Sequence, residues 1–184
     1  MNPPAMPRKD RLRRVVILCR DFARNLAYYR TGQRREHQGL LDPAKNTSAN
    51  FWRVMNGNCI DVCVLEWCKL FADGKGKHYW ANVVTDQADF QKSLLDHLGL
   101  GAAAFQQEIE TMRRYRDKFL AHLDSDYTMN VPTLDVAKKA VWFFHAHIVS
   151  HEAKSEDLAG LPVQLDEGYK ESEAEAEAVY RRGT

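Results

Sequence analysis

Apolar positions in this chain recur at spacings of three and four nearly from end to end. From Leu12 they fall at Leu12, Val15, Val16, Cys19, Phe22, Leu26 and Tyr29, which places them on one face of a helix. Gly32 is the expected stop, and the polar stretch 33–46, containing Pro43, is expected to be a loop. Thr47 or Ser48 can cap a second helix over about 49–72 that ends at Gly74. Its main stripe is read as Phe51, Val54, Met55, Asn58, Val62 and Leu65, widened by Trp52, Cys59, Cys63 and Leu70. So broad an apolar face predicts a central helix with contacts on two sides. Thr85 can cap a short third helix that ends at Gly99 or Gly101. A fourth helix is expected over about 102–123 and, beyond Pro132, a fifth over about 133–153. A Glu- and Ala-rich piece, 169–182, follows with few apolar anchors. No period-two alternation persists over a strand length. The pattern predicts an all-α fold, an up-and-down helical bundle of four to five main helices with a C-terminal helical tail.

The 184 residues, 45% hydrophobic and 28% charged, suit a single packed domain with a tail and exclude a wholly disordered chain. The bundle is expected over 1–154, with 1–8 disordered, and a polar acidic tail carrying a short helix over 155–184. Apolar runs of four or five residues, such as Val15 to Cys19, are too short to cross a bilayer. Without a secretory-type start, a cytoplasmic location is expected. Cys19, Cys59, Cys63 and Cys68 follow no disulfide-framework spacing and read as reduced, mostly buried thiols. The net charge of +1 hides an asymmetry: residues 1–35 carry ten basic groups against Asp10 and Asp21, and residues 152–177 carry nine acidic groups against Lys154 and Lys170. A basic end can attract polyanions, while the plainer reading is two solvated helix faces that pair with each other.

The fourth helix holds the chemistry. Its packing stripe runs Phe105, Ile109, Met112, then position 116, Phe119 and Leu123, and position 116 is Arg116. A charge on a packing seam is costly unless it meets an anion. Either the seam opens into a site here, or Arg116 pairs with an internal carboxylate. On α-helical geometry Arg116 and His122 flank the Phe119 direction by about 60° each and stand about 9 Å apart along the axis, which suits two groups gripping one extended ligand. The same geometry turns Asp117 about 160° from Phe119, toward a neighbouring chain or solvent.

Arg116, Asp117 and His122, within YRDKFLAHLD, resemble the Arg-x(4–6)-His signature of the HEPN superfamily. The wording RDKFLAHLD, and the upstream segment from Phe51 to Asp73 with Trp80 after it, resembles the abortive-infection AbiU-like branch. The resemblance covers roughly residues 51–148. It implies a metal-independent RNA endonuclease acting as a homodimer, or a non-catalytic nucleotide- or protein-binding module. Some toxin members place a tyrosine two residues after the histidine; this chain has Asp124 there.

The chemistry stands without the family. Metal-free RNA cleavage needs a base for the 2′-hydroxyl, an acid for the leaving oxygen and positive charge on the phosphorane. His122 suits the proton transfers and Arg116 the phosphate, with Asp117 as an orienting group. Lys118, Lys75, Lys77 and Tyr115 are the weaker substrate-contact candidates. The expected partners are RNA, a second copy meeting along the fourth helix near Tyr115 and Phe119, and a cognate antitoxin; no membrane, cofactor or metal is expected. The plainer alternative makes Arg116 a structural ion pair and His122 a core histidine. His147 and His151, at i and i+4, could share a metal but lack a carboxylate partner motif, and Cys59 with Cys63 reads as core packing. GKGKHYW, from Gly74, lacks the spacing of a phosphate loop and reads as a flexible basic loop anchored by Tyr79 and Trp80.

Overall fold

The computed structural model describes residues 6–42, 47–121 and 130–183, and these are helical with no strand among them. Six α-helices follow in order: α1 Arg8–His37, α2 Ala49–Phe71, α3 Gln87–Leu98, α4 Ala102–Tyr115, α5 Asp135–His147 and α6 Leu165–Gly183. Two carry a π turn at their C-terminal end, Arg116–Ala121 after α4 and Ile148–Glu152 after α5. The chain is an all-α helical bundle. Of the first eight residues, 1–5 lie outside the described ones, and Arg8 already opens α1 behind the N-cap Pro7.

α1 runs through Gly32 to His37, five residues past the expected stop. The stop is Gly39, at φ 71°, where Gly39 N donates to Glu36 O at 2.9 Å and Leu40 N to Arg35 O at 3.1 Å. Those two bonds form a Schellman end, which needs the left-handed backbone that glycine adopts without steric cost. Gly32 does a different job. It is buried, and a Cβ there would press into Asn56 Oδ1 of α2 and Tyr180 Oη of α6, so three helices converge where no side chain intervenes. Gly99, at φ 65°, ends α3 as expected. Asp86 rather than Thr85 caps that helix, accepting from Asp89 N at 3.0 Å.

α2 shows its expected stripe to solvent. Its buried face is Asn56, Ile60, Cys63, Val64, Trp67, Cys68, Leu70 and Phe71, while Phe51, Val54, Met55 and Leu65 are exposed. Apolar side chains surround this helix, so periodicity alone did not distinguish its faces. The aromatic core fixed the choice: Trp67 packs on Phe71 and Phe105, and Phe71 on Phe144. Phe90 of α3 packs on Phe144 of α5, closing the bundle around those rings.

The acidic residues read as a tail form a 19-residue helix that packs along α1. Leu165, Ser172, Ala176 and Tyr180 bury one stripe of α6, and Trp52 meets the Tyr180 ring at 4.9 Å. Part of the charge asymmetry is neutralised at this seam. Arg34 binds Glu173 at 2.8 Å and Glu177 at 3.4 Å, Arg35 binds Glu177, and Tyr28 donates to Glu175 at 2.6 Å.

Candidate functional site

Arg116 begins the π turn, and two carboxylates hold its guanidinium. Nε donates to Asp117 Oδ1 at 2.8 Å and Nη1 to Asp73 Oδ1 at 2.5 Å. The hydrogen bond to Asp117 first, and that to Asp73 after it, outweigh burial and hold the group more firmly protonated than a free arginine. Nη2 has no protein partner among the described residues. The Arg116 side chain is 22% exposed, while those of Asp73 and Asp117 are 39% and 57% exposed. The seam therefore opens to water at Arg116 and supplies its own counterions. Arg116 is thus part of an ion pair at the surface of the bundle.

Asp117, its side chain 57% exposed, faces solvent, one of the two directions α-helical geometry allowed it. The backbone winds i to i+5 across Arg116–Ala121, and the long arginine side chain reaches the carboxylate of its chain neighbour. The expected 9 Å rise from Arg116 to His122 also assumed α-helical winding. His122 itself lies outside the described residues. Lys118 is part-buried on the same turn. Tyr115, read as a weak substrate contact and a dimer residue, is buried; its hydroxyl donates to Asp61 Oδ1 at 2.7 Å, and burial with that bond pushes its pKa up.

Asp73 ties the motif to the glycine-rich loop. Gly76 N donates to Asp73 O at 2.6 Å, and Asn82 Nδ2 donates to Gly74 O at 3.1 Å and Gly76 O at 2.9 Å. Arg113 reaches Ala72 O from the α4 side. Lys75 and Lys77, both exposed, thus project from a loop whose base is the carboxylate that holds Arg116. Trp80 is buried and stacks on Phe90 at 5.2 Å, so it anchors the loop. His78 in this loop is pushed toward its neutral form by burial first and then by Arg14, Lys69, Lys77 and Arg11, which marks a concentration of cations on this side of the bundle. Sequence reading missed Asp73 as a site residue. The available signal was its place, the last acidic residue before a basic glycine loop.

The basic N-terminal segment contributes less than its charge promised. Arg8 binds Glu152 at 2.5 Å, Arg13 donates to Asp157 O and Ala159 O, Arg24 binds Asp21, and Arg30 binds Asp135 at 2.5 Å. With Arg34 and Arg35 held by α6, most of these cations serve the chain's own groups.

The histidine pair stands at the second π turn. His147 and His151 stack at 4.8 Å, and His147 Nε2 lies 3.3 Å from Glu152 Oε1. Glu152, its side chain 3% exposed, also accepts from Thr85 N and Thr85 Oγ1 at 2.7 Å. Burial alone would raise its pKa, yet the bonds from Thr85, His147 and Arg8 hold it below the ordinary value. Glu152 is therefore a structural clasp joining α1, the loop before α3 and the end of α5. Among the described residues no group of three or more His, Cys, Asp and Glu is placed to hold a metal ion. The four thiols are unpaired; Cys19, Cys63 and Cys68 are buried, and burial raises their pKa values.

No helix among the described residues is long and apolar enough to cross a membrane. No family model, curated protein or solved structure matches this chain. Its function rests on the site itself.

Proposed function

We propose that the chain is a metal-independent RNA endonuclease of the HEPN type, acting as a homodimer in toxin or antiviral defence. The observation that carries this reading is the placement of Arg116: a solvent-reaching guanidinium clamped by Asp73 and Asp117 at a π turn, beside a basic loop. π turns recur at functional sites, and an arginine fixed through two of its nitrogens presents its remaining N–H groups with little ordering cost. In this reading Nη2 meets the phosphate and neutralises the charge that builds on it. Lys75, Lys77 and Lys118 draw the RNA backbone by long-range attraction that added salt weakens. His122, six residues along the same segment, moves the proton. One chain brings one such histidine, and a homodimer brings two, an acid and a base.

The test is cleavage of a structured RNA by the full chain and by Arg116→Ala and His122→Ala. Each variant is expected to lose about 10²-fold or more in rate. Full activity in both would remove the nuclease reading from this site. A second reading, a non-catalytic helical module binding a nucleotide or a protein, is favoured by the carboxylates already on Arg116, because a ligand must share that cation. Undiminished RNA binding with no cleavage by wild type would select it.

A further inference from the structure

α2 carries an apolar face that the bundle leaves uncovered. Phe51 is 58% exposed, Val54 63%, Met55 41% and Leu65 37%, and half-buried Val62 joins them. From Phe51 to Leu65 this stripe is about 21 Å long. Soluble chains tend to bury or break up such stripes, and a contiguous patch of a few hundred Å² ordinarily marks a contact surface.

The stripe is symmetric about its centre. Asn58, exposed, is the midpoint; Val54 and Val62 lie four residues to either side, and Phe51 and Leu65 lie seven. An antiparallel pair of such helices, related by a two-fold axis at Asn58, sets Val54 level with Val62 and Phe51 level with Leu65, while Met55 falls level with Asp61. The two Asn58 amides meet on the axis, where each can donate to and accept from the other. A single amide in an apolar seam penalises other registers, since any slip leaves it unpaired.

Charge favours the same occupant. No ionised residue lies in the stripe between Phe51 and Leu65, and the nearest charges already have partners: Asp61 with the Tyr115 hydroxyl, Glu66 with Lys69 at 2.9 Å and Arg53 with Glu36 at 2.9 Å. Two copies therefore meet without like-charge repulsion. The four exposed side chains offer on the order of 300 Å² per chain, so two copies remove on the order of 600 Å² of apolar surface. Asn58, Val62 and Val179, itself 43% exposed on the adjoining α6, extend the contact beyond those four side chains.

We infer that α2 is a homodimerisation surface, with the stripe Phe51–Leu65 of one chain packed antiparallel on that of a second copy. The contact runs along α2 and not along the helix that carries Arg116, and it does not depend on the nuclease reading. Asp61 and Cys68, the α2 residues beside Tyr115 and Arg116, lie about 60° and 80° to one side of Asn58. The two-fold axis keeps that flank on the same side of both chains, so both Arg116 sites open to one side of the dimer.

Analytical ultracentrifugation of the full chain over a concentration series tests this. The wild type is expected to sediment reversibly at twice the 21.2 kDa chain mass. Val54→Glu combined with Phe51→Glu is expected to weaken association at least tenfold with an unchanged thermal melt, because both residues are more than half exposed in the monomer. Asn58→Cys is expected to cross-link between chains under a short bismaleimide, well above the wild-type background from Cys59. A wild type that stays monomeric would give this face to a different partner and overturn the proposal. A dimer that survives both glutamates would also overturn it, as would an Asn58→Cys yield no higher than background.

Discussion

At the scale of single residues, two basic side chains are held in opposite ways. Arg116 keeps its charge because Asp117 and Asp73 meet it at the surface. Removing the guanidinium leaves two carboxylates that are 57% and 39% exposed and can hydrate, so Arg116→Leu is expected to change stability by no more than about 1 kcal/mol while abolishing RNA cleavage. A fall in melting temperature of ten degrees would make Arg116 a structural strut. His145 loses its charge. It is 4% exposed, its Nε2 lacks a partner, and burial, with Arg20 after it, brings its pKa down to about 4. Between about 4 and the ordinary value near 6.5, the unfolded chain holds a proton that the folded chain refuses. Stability therefore rises with pH across that window and is lost as the pH falls through it, by roughly 3 kcal/mol. Urea midpoints at pH 7 and pH 4.5 should differ less in His145→Leu than in the wild type. Equal pH dependence in both would contradict the assignment.

At the scale of elements, the sequence was most legible where periodicity and punctuation agreed. The existence of five helices, the glycine end of α3 and the loop at Gly74 follow from spacing and from the special backbone of glycine. The failures have physical causes. Gly32 resembles a stop, but it is a contact, and only the positions of Asn56 and Tyr180 show that. Gly32→Ala should therefore destabilise the chain by about 1–3 kcal/mol, overriding the helix-propensity gain of about 1 kcal/mol. The expected reading is a drop of several degrees in the thermal melt, and an unchanged or higher melting temperature would show that the three helices can part. α6 looked anchorless because Ser172 and Ala176 supply much of its buried stripe, and small residues carry little hydropathy signal. The two faces of α2 were exchanged because both are apolar. The site was legible in part: Arg116 stood out as a charge on a seam, whereas Asp73, forty-three positions upstream, becomes its partner only through the fold.

At the scale of the whole molecule, charge is arranged by use. The basic α1 and the acidic α6 neutralise each other along their seam, and Glu152 secures the start of α1. Lys75 and Lys77 stand exposed on the loop beside the ion-paired Arg116. In the proposed reading RNA meets that region of the bundle, and the apolar α2 face meets a second copy. The most direct test of this account is the chemistry of the RNA product formed by the full chain in excess EDTA. Attack by the 2′-hydroxyl, with His122 moving the proton and Arg116 holding the phosphate, predicts continued cleavage and a 2′,3′-cyclic phosphate end that disappears in His122→Ala. Cleavage that stops in EDTA and returns with a divalent cation, leaving a 3′-hydroxyl end, would contradict it.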